Sequence, residues 1–121
     1  MAAGRYNFFC EQGATFNPTI SWVDDEGVAV DLSTYEARMQ VRPTVPSASV
    51  IFEVTSASPA AASGGITLGG SAGTIEIVLE ATATDDLPTG TFRYDLELEA
   101  PDGFVTRLLK GRFKIDPEVT R

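Results

Sequence analysis

The chain has 121 residues, 43% of them hydrophobic, a single cysteine, no histidine and a net charge of −8. That length makes one domain, residues 1–121, able to bury a core without disulfides, and the hydrophobic content argues against wholesale disorder. The negative charge argues against a nucleic-acid binder, which needs a basic face to displace counterions; one cysteine forbids an intrachain disulfide; and no apolar run approaches the roughly 18 residues that span a bilayer.

In chain order, Arg5 to Cys10 reads as a short apolar strand, broken at Gly13. Thr15 to Val23 reads as a second strand with Phe16, Ile20 and Trp22 on one side. Pro18 inside it cannot donate to a ladder, so the strand is expected at an edge or with a bulge. Asp24-Asp25-Glu26-Gly27 is a turn, with glycine where a positive φ is needed. Val28 to Val30 returns as a short strand, and 31–34 is a second turn. Tyr35 to Arg42 alternates: Tyr35, Ala37, Met39 and Val41 on one side, Glu36, Arg38, Gln40 and Arg42 on the other. Pro43 and Pro46 end it, and Val50, Phe52 and Val54 mark the next strand.

Ser56 to Gly65 is a Ser/Ala/Pro/Gly loop. Ile66–Leu68 and Thr74–Leu79 form a hairpin around 69–73, with Ile75, Ile77 and Leu79 inward. Thr82 to Leu87 is the one expected helical turn, capped by Thr82 or Thr84, with Asp85 and Asp86 favouring its N-terminal dipole. From Gly90 to Glu99 the period of two is strict: Phe92, Tyr94, Leu96 and Leu98 against Arg93, Asp95, Glu97 and Glu99. A turn at Pro101-Asp102-Gly103 leads into a last strand from Val105 to Ile115, where Gly111 suggests a bulge. Strands spaced about ten residues apart, with turn residues between them, predict an all-β, antiparallel immunoglobulin-like β-sandwich of seven to nine strands with at most one short helical turn.

No catalytic constellation emerges. Acid–base chemistry without histidine falls to carboxylates, and Asp24, Asp25 and Glu26 read first as a solvated turn; they lack the spacing of a calcium loop. Cys10 sits among Tyr6, Phe8 and Phe9 and reads as a buried apolar residue. Gly64-Gly65 and Gly69-Gly70 have no following lysine as in a phosphate loop. Trp22 reads as core rather than as a sugar platform. No cofactor, metal or small-molecule substrate is expected, and no signal peptide is visible at the N-terminus.

Charge is unevenly spread. Residues 105–115 hold Arg107, Lys110, Arg112 and Lys114 and no acid, on an otherwise acidic chain. Two readings stay open: these bases pair with neighbouring Glu-rich strands, or they form half of a head-to-tail contact with a copy or partner. For Arg38 and Arg42, cross-strand ion pairs and contact with an acidic neighbour are the corresponding alternatives. The candidate interface residues are Arg38, Arg42, Arg107, Lys110, Arg112 and Lys114.

Three blocks carry a family resemblance: 11–16 with Ile20 and Trp22; 30–42; and 90–98 with Asp102-Gly103, 107–111 and the ending 117–121. Together they resemble small tailed-bacteriophage structural proteins with an immunoglobulin-like sandwich, similar to the N-terminal module of phage baseplate upper proteins. The resemblance implies a non-enzymatic virion component of the tail or baseplate, an adaptor or decoration built in multiple copies. Its partners would be other virion proteins and copies of itself, with no nucleic acid and no membrane. It would be made in the host cytoplasm. Alternatives are a capsid decoration protein and, from another class, a carbohydrate-binding adhesion module; a small hydrolase or metal enzyme is disfavoured by the missing histidines.

Overall fold

The computed structural model describes residues 4–56 and 64–118. Nine strands, one short α-helix and one 3-10 turn (Gly70–Ala72) appear among them: β1 (Gly4–Arg5), β2 (Phe8–Glu11), β3 (Thr19–Ser21), β4 (Glu36–Arg42), β5 (Phe52–Thr55), β6 (Gly64–Leu68), β7 (Thr74–Leu79), α1 (Ala81–Asp85), β8 (Gly90–Glu99) and β9 (Val105–Asp116). They form two sheets. The larger runs β1-β9-β8-β4-β5, with β2 also on β9; the smaller runs β3-β7-β6. The order places consecutive strands β3 and β4 in opposite sheets, and likewise β7 and β8. This is the cross-over connectivity of the immunoglobulin-like sandwich.

One core lies between the sheets. Strand alternation supplies it: Ala37, Met39 and Val41 from β4, Tyr94, Leu96 and Leu98 from β8, Phe113 and Ile115 from β9, and Ile75, Ile77 and Leu79 from β7 are all buried. Phe113 is the hub. Its ring centroid lies 5.2 Å from Phe16, 5.3 Å from Phe52, 6.2 Å from Phe8 and 6.4 Å from Tyr94. These rings meet edge-on or tilted, the arrangements their quadrupoles favour.

The structure departs from the sequence reading at several points. The expected strand from Arg5 to Cys10 is two pieces, and both pair with β9 in parallel, so the sandwich is not wholly antiparallel. Thr15–Val23 shrinks to three residues of edge strand, with Pro18 just before it and Phe16 held by a single bridge to Leu79. Val28–Val30 keeps one bridge, Val23 to Ala29. Val50 lies outside β5 and is exposed. Of the expected 56–65 loop, 57–63 lies outside the described residues, while Gly64 and Gly65 belong to β6. Residues 119–121 of the resemblance's third block also lie outside them.

Neither threonine caps α1. The N-cap is Glu80, without a side-chain bond, and Asp85 and Asp86 sit at the C-terminal end rather than the start. Gly111 does not make a bulge either. The register shift falls between Leu96 and Glu97, which oppose Leu109 and Arg107, so Leu108 is the extra residue. Gly111 serves a close approach instead: a side chain there would collide with the Tyr6 carbonyl oxygen, in the link between β1 and β2.

Candidate interface on the six-stranded sheet

The outward face of the larger sheet collects nearly all the charged side chains that the sequence singled out. On β4 the inward phase of Ala37, Met39 and Val41 sends Arg38 and Arg42 outward. On β9 the bulge at Leu108 does the same work. Leu109, Gly111, Phe113 and Ile115 hold the inward phase, so an unbroken strand would have turned Arg107 inward too. The extra residue reverses the phase, and Arg107 points outward along with Lys110, Arg112 and Lys114.

Cross-strand register sorts this face into rows. Arg38, Glu97 and Arg107 stand opposite one another on β4, β8 and β9. Here the charges cancel. Arg38 Nε donates to Glu97 Oε1 at 3.0 Å and Nη1 lies 3.6 Å from Glu99; Arg107 Nε lies 3.2 Å from Asp95 and Nη2 3.6 Å from Glu97. Burial, and then Glu97, raise the Asp95 carboxyl above the usual range, while Arg107 and Arg42 pull it back. These pairs are half-exposed, so each contributes no more than about 1 kcal/mol.

The next-but-one row differs. Arg42, Arg93 and Arg112 stand directly opposite one another across β4, β8 and β9. Arg42 forms no ion pair among the described residues and is held by neutral acceptors, donating to the Ser47 carbonyl at 2.7 Å and to Gln40 Oε1 at 2.8 Å. Among the described residues, no carboxylate pairs with Arg93, Arg112 or Lys110. Lys114 lies 3.6 Å from Asp116. The six expected interface residues therefore share one face but split in two. Arg38, Arg107 and Lys114 are in ion pairs; Arg42, Lys110 and Arg112 are not.

Sequence reasoning missed Arg93. Its outward parity was visible, but its place in a row of three arginines depends on the register of three strands. A shallow hollow of about 490 Å³ opens beside this row, lined by Arg38, Arg42, Arg93, Arg107, Asp95 and Val45 among others.

No group of three or more His, Cys, Asp or Glu able to hold a metal comes together among the described residues. Asp24 Oδ1 is occupied by its own turn, accepting the Glu26 and Val28 amides at 2.9 and 3.0 Å. Cys10 is buried, and burial followed by the Glu11 charge pushes its thiol up to about 11, away from nucleophilic chemistry. Trp22 is half-buried against the core, its ring 5.9 Å from Tyr35 in an edge-on contact.

No family model matches the chain, and no curated protein matches it. Solved structures do. One is described as "Parallel homodimer structures of the extracellular domains of the voltage-gated sodium channel beta4 subunit explain its role in cell-cell adhesion"; it is 14% identical, with a TM-score of 0.46, over 98% of this chain and 97% of that one.

Proposed function

We propose that this chain is a non-enzymatic structural protein of a tailed-bacteriophage virion, an adaptor or decoration of the tail or baseplate present in multiple copies. The family attribution rests on the three sequence blocks. The observation that carries the mode of action is the outer face of the six-stranded sheet, where charged side chains spread over a broad surface and line only a shallow hollow. Such a face recognises another macromolecular surface by complementarity of charge and shape.

The packing of Trp22 against the core speaks against the carbohydrate-binding alternative, which needs an exposed aromatic platform beside a groove. Mass spectrometry of purified virions from the encoding phage is expected to find this chain, and an electron-microscopy map to place it at the tail or baseplate. Density on the capsid shell would select the decoration alternative, and absence from particles would overturn the proposal. Reversing Lys110 and Arg112 to Glu is expected to leave the isolated domain folded and to lower its incorporation into particles; full incorporation would remove those two residues from the contact.

A further inference from the structure

The eight described bases all belong to the six-stranded sheet; residues 12–35 and 64–89, which build the other sheet and its turns, hold eight carboxylates and no base. Within this division two features match. One is the row Arg42–Arg93–Arg112, which the fold keeps at a cost, because like charges directly opposite on neighbouring strands repel. The other is the turn between Val23 and Val28 at the far end of the sandwich. It carries Asp24, Asp25 and Glu26, and nothing lies within 4 Å of where a side chain on Gly27 would begin, so it projects freely. Asp24 is spent on holding the turn, which leaves the Asp25 and Glu26 carboxylates to reach outward. Val23 and Val28 flank them with 49% and 59% of their surface exposed, and Val45, 79% exposed, sits at the rim of the hollow beside the arginine row.

We propose that the Val23–Val28 turn of a second copy docks across the arginine row at the mouth of this hollow, with Asp25 and Glu26 on the Arg93 and Arg112 side chains and the flanking valines against Val45. The contact joins different surfaces of the two copies, so it is head-to-tail. It closes into a ring or continues as a filament according to the rotation between copies. The net charge of −8 does not forbid it. At physiological salt the screening length is about 8 Å, so the local match outweighs repulsion between distant carboxylates. The inference rests on the surface-binding reading above, not on virion residence.

Sedimentation of the purified chain tests it. Self-association is expected at about 0.15 M salt and its loss at about 1 M, as the screening length falls from about 8 Å to about 3 Å. Arg93→Glu/Arg112→Glu and Asp25→Lys/Glu26→Lys are each expected to weaken it by about tenfold or more, and an equimolar mixture of the two variants to recover it. Circular dichroism keeps folding separate: the single variant Arg93→Glu, run beside the double one, places an acid between two arginines and is expected to melt no lower than wild type while still weakening association. A wild-type chain that stays monomeric at about 0.15 M salt, an arginine variant that associates like wild type, or a mixture that fails to recover would each overturn the proposal. So would a monomer that instead binds heparin in a salt-dependent way through the same arginines, because the row would then serve a polyanion. Absence of the chain from virions would defeat the virion reading while leaving this test intact. Normal incorporation of an arginine variant that no longer self-associates would show that the particle does not depend on the copy-to-copy contact.

Discussion

At the residue scale, two buried proton-bearing groups set the alkaline limit of the fold. Burial pushes the Cys10 thiol up to about 11 and moves the Tyr94 hydroxyl upward as well. The folded chain therefore holds both protons at a pH where the unfolded chain has released them. Stability is at its full value below about pH 9 and falls as pH climbs toward 11, by up to about 1.4 kcal/mol per pH unit for each group. Urea melts of wild type and Cys10→Ala at pH 8, 9 and 10 are expected to diverge in slope, with the variant losing less over that range. Parallel slopes would mean that the thiol is accessible. Tyr94 also donates its hydroxyl to the Tyr6 carbonyl at 2.7 Å, across 88 positions of sequence. That same carbonyl occupies the space above Gly111. Gly111→Ala is thus expected to push β1 off β9 and cost about 1–3 kcal/mol, read as a lower denaturation midpoint together with faster amide exchange at Tyr6, whose N–H bonds the Lys110 carbonyl at 3.0 Å. Tyr94→Phe, which removes one hydrogen bond without a clash, is expected to cost about 1 kcal/mol.

At the scale of elements, the corner between β7 and β8 is fastened by one buried hydroxyl. Thr84 Oγ1 accepts the Gly13 amide at 3.1 Å and lies 2.8 Å from the Ala14 carbonyl and 3.0 Å from that of Ala81. Gln12 adds a second tie, donating to the Leu87 carbonyl and accepting the Glu118 amide. Thr84→Val keeps the shape but strips partners from two backbone groups, so a loss of about 1–3 kcal/mol is expected in chemical denaturation, with exchange of the Gly13 amide as the local readout. The sequence invited reading Thr84 as a helix cap, because a threonine in a short turn before Pro88 has that local signature. Beyond the local Ala81 carbonyl, its partners Gly13 and Ala14 lie about 70 residues away and no local pattern announces them. The same divide runs through the whole fold. Long strands with one wet face, 36–42 and 90–99, were legible because alternation is local, and so was the turn at Gly27. The split of 5–10 into two parallel pieces, the shortening of 15–23 and the position of the bulge were not. Each is decided by what the neighbouring strand presents: the Tyr6 carbonyl over Gly111, the loss of an amide donor at Pro18, and the need to reverse phase at Leu108. Of the candidate interface, the shared outward parity of Arg38 and Arg42 on one strand and of Lys110, Arg112 and Lys114 on the other could be read in advance, whereas that of Arg107 depended on the bulge, and the division into paired and unpaired charges required register.

For the whole molecule, the dominant electrostatic fact is that its two sheets differ in kind. The larger mixes acids and bases, and most of its acids have a base within reach; the smaller has carboxylates only. Its stability must come from the shared core, since no ion pair on that side offsets the mutual repulsion. Glu76 is the clearest probe. It lies mid-strand on β7, directly opposite Thr19 on β3 and Thr67 on β6, and so stands in the sheet without a charged cross-strand neighbour. A lysine there would replace one of the eight acids with the first base on that side while burying nothing new. Glu76→Lys is expected to stabilise the monomer by a few tenths to about 1 kcal/mol at about 0.01 M salt, and to do nothing measurable at about 1 M, where screening already removes the repulsion. Thermal melts of dilute samples at the two salt concentrations read the difference directly. A gain that survives high salt would have to be assigned to strand packing, and no gain at low salt would mean that the carboxylates are too far apart to strain the fold. Because Glu76 lies outside both the arginine row and the acidic turn, the variant should associate with wild-type affinity, which separates charge that burdens the domain from charge that joins its copies.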